Sequence, residues 1–304
     1  MNYWDWALIV FGVAYLVVTL GSLLPAFQRL TVLRLAFRSG IGVPDRLDAA
    51  LRARTATRAR WAGICGLVVL AGLYGAFHLF AGALTLESFY LCFVASAVAS
   101  SFGLAGASLV SESRLSDSPV RLARVRSVTV NDYVAQSRRT FAWIILAVAA
   151  VTVSGGTILA SEGVFGSATT AGSFLPALII VAASGAGLII AEVGSRFIVR
   201  RGQPAGSTDE LIWDDALRSS AIRDLYQAAV WTAFIGVLVA YFFGHNNLNW
   251  MAAAASLLTI VLAGTFGRLS RRDRTRYLRT LWPGARRRTP EEQAEYLGTE
   301  APVL

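Results

Sequence analysis

Seven long apolar runs, separated by polar connections, dominate the pattern of this 304-residue chain. Each run holds 18 to 22 residues and contains no Asp, Glu or Arg, so each is long enough to cross about 30 Å of hydrocarbon as an α-helix. The runs are residues 6–24, 61–80, 89–110, 141–160, 174–191, 225–244 and 250–267. The pattern therefore predicts an all-α, polytopic integral membrane bundle of seven transmembrane helices.

The arginines predict the orientation of this bundle. The chain has 28 arginines and no lysine. Residues 25–60, 111–140, 192–224 and 268–304 hold 8, 6, 5 and 9 of these arginines, which accounts for all of them. The connections on the other side carry Asp5, Glu87 and Glu162 as their charged residues. Because arginine-rich connections stay in the cytoplasm, we expect the N-terminus outside and the C-terminus inside.

Composition supports a membrane protein and argues against a nucleic-acid partner. The chain is 55% hydrophobic and 15% charged, with a net charge of +9. This basicity is explained by orientation and by attraction of the inner segments to anionic lipid headgroups. Exclusive use of arginine is typical of a GC-rich bacterial genome. We therefore expect a multi-pass protein of the bacterial plasma membrane.

The chain divides into a membrane domain, residues 1–267, and an Arg-rich cytoplasmic tail, residues 268–304. The membrane domain is interpreted as three similar hairpins and one extra helix. Asp48, Asp132 and Asp215 recur at separations of 84 and 83 residues. Internal repeats are common in transport folds, although compositional bias is an alternative source of this match.

The inner connections are predicted to contain helices. Residues 27–38 have the pattern of a helix in the headgroup plane, and a second helix is expected to start at Pro44 and Asp45. Asn131 is expected to cap the helix of the fourth run, and Ser207 with Glu210 forms a capping-box pattern.

The third inner connection carries a candidate docking site. Its helix, expected over residues 208–225, would carry Trp213, Asp214, Asp215 and Leu217. The aromatic face and the carboxylates suit two alternatives. The helix either binds the arginines of neighbouring connections or docks a cytoplasmic protein partner.

Catalytic chemistry has little support. A chain without lysine cannot form a P-loop or a lysine Schiff base. No nucleophile elbow or zinc signature is present, and the runs hold no carboxylate for an ion-coupled pump. His78 and His245, with the three external carboxylates, offer the donors of a metal site, but their spacing favours histidines that face headgroups. We expect no enzyme activity, cofactor or metal.

Two carboxylates mark the inner ends of apolar runs. Glu112 is followed by Arg114, and Glu192 by Arg196. These residues are candidates for an inner gate or interface. The alternative is a pair of interfacial salt bridges that fix the depth of each helix.

Small polar residues inside the runs give the candidate solute-lining positions Ser154, Gly155, Gly156, Thr157, Ser184, Gly185 and Gly187. Small residues let helices approach closely, which is the structural interpretation. Local unwinding around a bound solute, as in broken transporter helices, is the functional one.

Together these features predict a membrane subunit of permease type for a neutral, apolar or amphipathic small solute. Its cytoplasmic helices would couple it to a separate protein partner or to a second copy of the chain. The alternative is a non-transporting scaffold or regulatory subunit of a larger membrane complex. A polar cavity that reaches the membrane midplane would favour transport, whereas helices packed solid by their glycines would favour a scaffold.

Overall fold

The computed structural model describes residues 3–81, 86–110, 127–163, 174–202, 205–243, 261–262, 264–269 and 273–283. Within these ranges the chain is helical and has no strands. Its helices are α1 (Tyr3–Gly21), α2 (Pro25–Ser39), α3 (Asp45–Ala81), α4 (Leu86–Val110), α5 (Val130–Tyr133), α6 (Gln136–Ser161), α7 (Leu175–Arg200), α8 (Thr208–Phe243) and α9 (Arg276–Leu281). Residues 261–262 and 264–269 are also helical.

Five of these helices are long and apolar enough to cross a membrane, namely α1, α3, α6, α7 and α8. In α4 the stretch Leu91–Ala107 is apolar as well, although it is shorter. The helical membrane bundle is thereby confirmed. The seventh predicted run, residues 250–267, lies mostly outside the described residues, so seven spans and the orientation stay predictions.

Helices α3 and α8 are the longest, with 37 and 36 residues. The predicted start of α3 at Asp45 is confirmed, with Asp45 and Asp48 in its first turn. Each helix runs without interruption from a polar connection into an apolar run. The first 16 residues of α3, at about 1.5 Å each, extend roughly 24 Å beyond its apolar run. The connection is therefore a rigid extension of the span.

Ser207 caps α8 as predicted, but Glu210 reaches back to Gly206, one residue before the cap, and not to the Ser207 N–H. The Glu210 backbone N–H donates to the Ser207 hydroxyl at 3.4 Å, and the Glu210 carboxylate accepts from the Gly206 N–H at 2.6 Å. The cap predicted at Asn131 is wrong. Thr129 and Asp132 form a capping box around the one-turn α5, and α6 begins separately after Ala135.

Helix α8 occupies the centre of the bundle, where it packs against α4, α6 and α7. The most apolar part of α8 is 72% buried, compared with 11% for α1, which packs at the periphery against α3 and α4. One end of the bundle holds α2, residues 45–60 of α3, α5, residues 208–224 of α8, and α9. We call it the Arg-rich end.

Candidate functional site

Three ion pairs link α3 to α8 at the Arg-rich end. They are Arg46–Asp209 at 2.5 Å, Arg54–Asp214 at 3.4 Å, and Arg58–Asp224. The partners follow the same order along both helices, so α3 and α8 run parallel here. The arginines of the first connection therefore meet the carboxylates of the third.

The three pairs differ in burial, which decides their energetic weight. The side chains of Arg46 and Asp209 are 55% and 53% exposed, and such a pair stabilises by about 0–1 kcal/mol. The Arg58 side chain is 8% exposed, and Arg58 also donates to the Ser220 hydroxyl at 3.3 Å. Removing one partner of a buried pair leaves an uncompensated charge. The inner pair therefore holds α3 against α8 more firmly than the outer pair.

The predicted docking residues of α8 contact the chain itself. Trp213 is 1% exposed, and its indole N–H donates to the Gly42 carbonyl at 3.0 Å. Leu217 lies in the main apolar core. Asp215 is fully buried and Asp214 pairs with arginines. These contacts match the first of the two alternatives for this helix, in which it binds neighbouring connections.

Segments α5 and α9 complete the Arg-rich end. The Arg276 side chain donates to the Asn131 carbonyl at 2.7 Å, and the Thr280 hydroxyl donates to the Asp132 carbonyl at 2.9 Å. The Ala135 N–H donates to Asp273 at 3.2 Å. Residues 273–283 are therefore held against the start of α6.

Glu192, a candidate gate residue on α7, forms a bidentate ion pair with Arg139 of α6. Arg139 Nη2 lies 2.5 Å from Glu192 Oε2, and Arg139 Nε lies 3.2 Å from Oε1. Arg139 also donates to the Tyr226 hydroxyl of α8 at 3.2 Å, so three helices meet at this point. Arg196 is exposed.

The other two gate candidates, Glu112 and Arg114, lie outside the described residues. The Arg139 partner of Glu192 was not predicted. The sequence offers one signal for this pairing. Arg138 and Arg139 are predicted to lie at the same depth in the membrane as Glu192.

The candidate solute-lining segments are regular helix in both α6 and α7. The Thr157 hydroxyl donates to the Val153 carbonyl at 2.9 Å, one turn back along its own helix. The Ser184 hydroxyl is fully buried and donates to the Ala229 carbonyl of α8 at 2.8 Å. Ser154 is exposed on α6. The segments are not brought together around a common opening by these contacts.

Two of the four glycines in these segments serve close packing. A Cβ on Gly156 would lie 2.9 Å from the Phe174 ring, and a Cβ on Gly187 would lie 2.8 Å from the Phe102 ring. A Cβ on Gly185 would make an ordinary contact with Leu146 at 3.7 Å. At Gly155 a Cβ would meet nothing within 4 Å. Gly156 and Gly187 thus let neighbouring aromatic rings approach their helices.

At the opposite end of the bundle, His78 and Asp5 form a pair. His78 Nε2 lies 3.0 Å from Asp5 Oδ1, which links the start of α1 to the end of α3. His245 and the side chain of Glu87 lie outside the described residues. Across the described part of the chain, no three His, Cys, Asp or Glu side chains are grouped to hold a metal ion.

A cavity of about 270 Å³ opens at the Arg-rich end, between α2, α3, α4 and α8. Its lining includes Arg34 and Arg38 of α2, Arg58 of α3, Leu104 of α4 and Asp224 of α8. Sequence reasoning missed it because four helices, far apart in the chain, contribute to it. The spacing of Arg34 and Arg38, one turn apart on an amphipathic helix, was a usable signal.

Comparison with known protein families, with curated proteins and with solved structures finds no match to this chain.

Proposed function

We propose that this protein is a non-transporting membrane scaffold or regulatory subunit, whose Arg-rich end presents a preassembled platform to a partner. The observation that carries the proposal is the packing of α6 and α7. The segments that a permease would use for a solute are regular helix, and Gly156 and Gly187 are covered by aromatic rings of neighbours.

A solute site built from broken helices needs backbone groups that are free to bind the solute. Such groups tolerate the membrane interior where they line a cavity. In α6 and α7 the helices continue through the candidate segments, and the Thr157 and Ser184 hydroxyls bond to backbone carbonyls. This arrangement supports tight helix packing as the role of the small residues.

The Arg-rich end has the properties expected of a docking platform. It is tied to the membrane helices because α3 and α8 continue through it without a break. Its internal contacts include the buried Asp215 carboxylate and the pair of buried Arg58 with half-buried Asp224. A surface fixed in this way loses little conformational entropy on binding a partner. A cytoplasmic protein or a second copy of this chain fits such a surface.

The proposal places the Arg-rich end in the cytoplasm of a bacterial cell and the N-terminus outside. Support for this orientation is the distribution of the 28 arginines among the four predicted inner segments.

Transport of a neutral solute is the alternative candidate. A Cβ at Gly155 would meet nothing within 4 Å, but Val151 and Ile158 on the same face of α6 are 74% and 61% exposed. This open space therefore lies on the outer surface of the bundle and does not form a solute site.

Water accessibility at Ser184 distinguishes the two candidates. Cys65 and Cys92 are replaced by alanine, and Ser184→Cys is tested with a membrane-impermeant maleimide in proteoliposomes. The scaffold proposal expects no labelling until the protein is denatured in SDS, because Ser184 is fully buried against α8.

Arg46→Cys is the matched control, because the Arg46 side chain is more than half exposed and this site should be labelled without denaturant. Labelling of Ser184→Cys in the native protein would favour the permease and overturn the scaffold proposal.

A further inference from the structure

The cavity at the Arg-rich end is strongly basic. Arg34, Arg38 and Arg58 line it, and Asp224 is the acidic residue of its lining. Arg58 is 6% exposed and pairs with Asp224, so the pair neutralises one of the three positive charges. Two positive charges remain at the rim of an opening of about 270 Å³.

The arginines of this cavity have unused hydrogen-bonding capacity. Arg34 and Arg38 are exposed, four residues apart on α2, and neither has an acidic partner among the described residues. Like charges at this spacing repel. An anion in the cavity would offset the repulsion between Arg34 and Arg38 and accept hydrogen bonds from their guanidinium groups.

Three hydroxyls also line the cavity, those of Thr31, Thr55 and Ser220. They already donate to the Gln28 carbonyl, the Leu51 carbonyl and the Asp224 carboxylate. The donors left for phosphate oxygens are therefore the arginine guanidinium groups, which suit such oxygens in charge and geometry. The volume lies just below the roughly 300 Å³ at which small-molecule pockets begin. It is therefore sized for a compact phosphate-bearing group.

The sequence pattern around the cavity predicts that it lies at the depth of lipid headgroups. Helix α2 exposes Leu30 and Phe37, at 45% and 49%, beside its arginines, which is the pattern of a helix in the interfacial plane. Arg58 precedes by three residues Trp61, where the second apolar run begins. Long arginine side chains at such a position reach toward headgroups. At this predicted depth a lipid phosphate would have access to the opening.

We propose that this cavity binds the phosphate of an anionic phospholipid headgroup. Basic pockets between membrane helices on the cytoplasmic side recognise such headgroups. The guanidinium groups of Arg34 and Arg38 contact the phosphate from α2, and Arg58, paired with Asp224, lines the cavity from α3. The site does not depend on the scaffold function, because either class of membrane protein can hold a structural lipid.

Binding is measured on the purified full-length protein in a neutral detergent. The probes are dioctanoyl phosphatidylglycerol, dioctanoyl phosphatidylcholine and inorganic phosphate, titrated by microscale thermophoresis. We expect saturable binding of phosphatidylglycerol, and much weaker binding of phosphatidylcholine and of inorganic phosphate. Each arginine near an anionic headgroup contributes about fivefold in affinity. The Arg34→Gln/Arg38→Gln variant should therefore bind phosphatidylglycerol roughly 25-fold more weakly.

The Arg196→Gln/Arg200→Gln variant is the matched control. These arginines are also exposed, four residues apart and on one helix, but they do not line the cavity. We expect this control variant to bind phosphatidylglycerol as the wild type does. If the Arg34→Gln/Arg38→Gln variant fails to fold, the single Arg34→Gln variant takes its place, and its affinity for phosphatidylglycerol should be about fivefold weaker.

Equal loss in both double variants, or no saturable binding by the wild type, would overturn the site. If inorganic phosphate binds as tightly as phosphatidylglycerol and is lost with Arg34→Gln/Arg38→Gln, the phosphate site stands and its lipid source is overturned.

Discussion

The indole N–H of Trp282 donates to the carboxylate of Asp215 at 2.8 Å, although 67 residues separate the two along the chain. Asp215 is fully buried in α8, and its other oxygen accepts from the Tyr133 hydroxyl at 2.7 Å. The Asp215 carboxylate thus joins three segments of the chain. They are the second connection, the third connection and the residues that follow α9.

Asp215→Asn should destabilise the Arg-rich end. An asparagine offers one acceptor oxygen, and its NH₂ group would face a donor. A buried group left without a partner costs about 1–3 kcal/mol. We expect a lower midpoint of thermal unfolding, together with faster proteolysis at residues 273–283, measured by mass spectrometry of the fragments. Asp209→Asn, in the exposed pair, is the control and should change neither. Equal behaviour of the two variants would contradict the buried link.

Glu192→Gln tests the junction of α6, α7 and α8. The Glu192 and Arg139 side chains are 17% and 16% exposed, and their contact is bidentate. Loss of a charge-assisted pair at this burial should cost about 2 kcal/mol in unfolding free energy. Thermal unfolding in detergent gives the comparison with wild type. An unchanged midpoint would mean that Glu192 does not hold the three helices together.

Much of the local structure could be predicted from the sequence. The start of α3 at Asp45 and the cap of α8 at Ser207 and Glu210 follow from signals within four residues. Asn131 was misassigned because Thr129 and Asp132 form a competing cap two residues earlier. Two overlapping cap signals within one short segment cannot be ranked without knowing where the next helix packs.

The candidate site was harder to predict, because it depends on how each helix is rotated about its axis. The pairing of Arg139 with Glu192 spans 53 residues, and that of Arg58 with Asp224 spans 166. A helical pattern shows which residues share a face but not which helix that face meets. The cavity is hard to predict for the same reason, because four helices must come together to form it.

Gly103 and Gly106 on α4 form a matched pair for testing helix packing. A Cβ on Gly103 would lie 2.6 Å from the Trp61 carbonyl oxygen of α3, whereas a Cβ on Gly106 would meet nothing within 4 Å. Gly103→Ala should therefore force α3 and α4 apart and destabilise by about 1–3 kcal/mol. Gly106→Ala should be neutral or slightly stabilising, since alanine favours helix. The midpoint of thermal unfolding is measured for both variants. A midpoint of Gly103→Ala equal to that of the wild type would contradict the close approach of α3 and α4.

The orientation is tested by cysteine labelling from each side of the membrane. In a background with Cys65 and Cys92 replaced by alanine, Glu162→Cys should react with an impermeant maleimide added to intact cells. Ser127→Cys should react only after the membrane is opened. Both sites are exposed, so access to the reagent depends on the side of the membrane. Labelling of Ser127→Cys in intact cells would reverse the orientation, and with it the cytoplasmic platform.

Amide hydrogen exchange across α6 and α7, measured by mass spectrometry on the protein in lipid nanodiscs, tests the packed bundle most directly. A scaffold with continuous helices predicts slow exchange over residues 154–157 and 184–187, equal to that of the flanking turns, because every amide there is hydrogen-bonded within a regular helix. Fast exchange confined to these two segments would show unwound backbone in contact with water. That result would contradict the scaffold and favour a solute pathway.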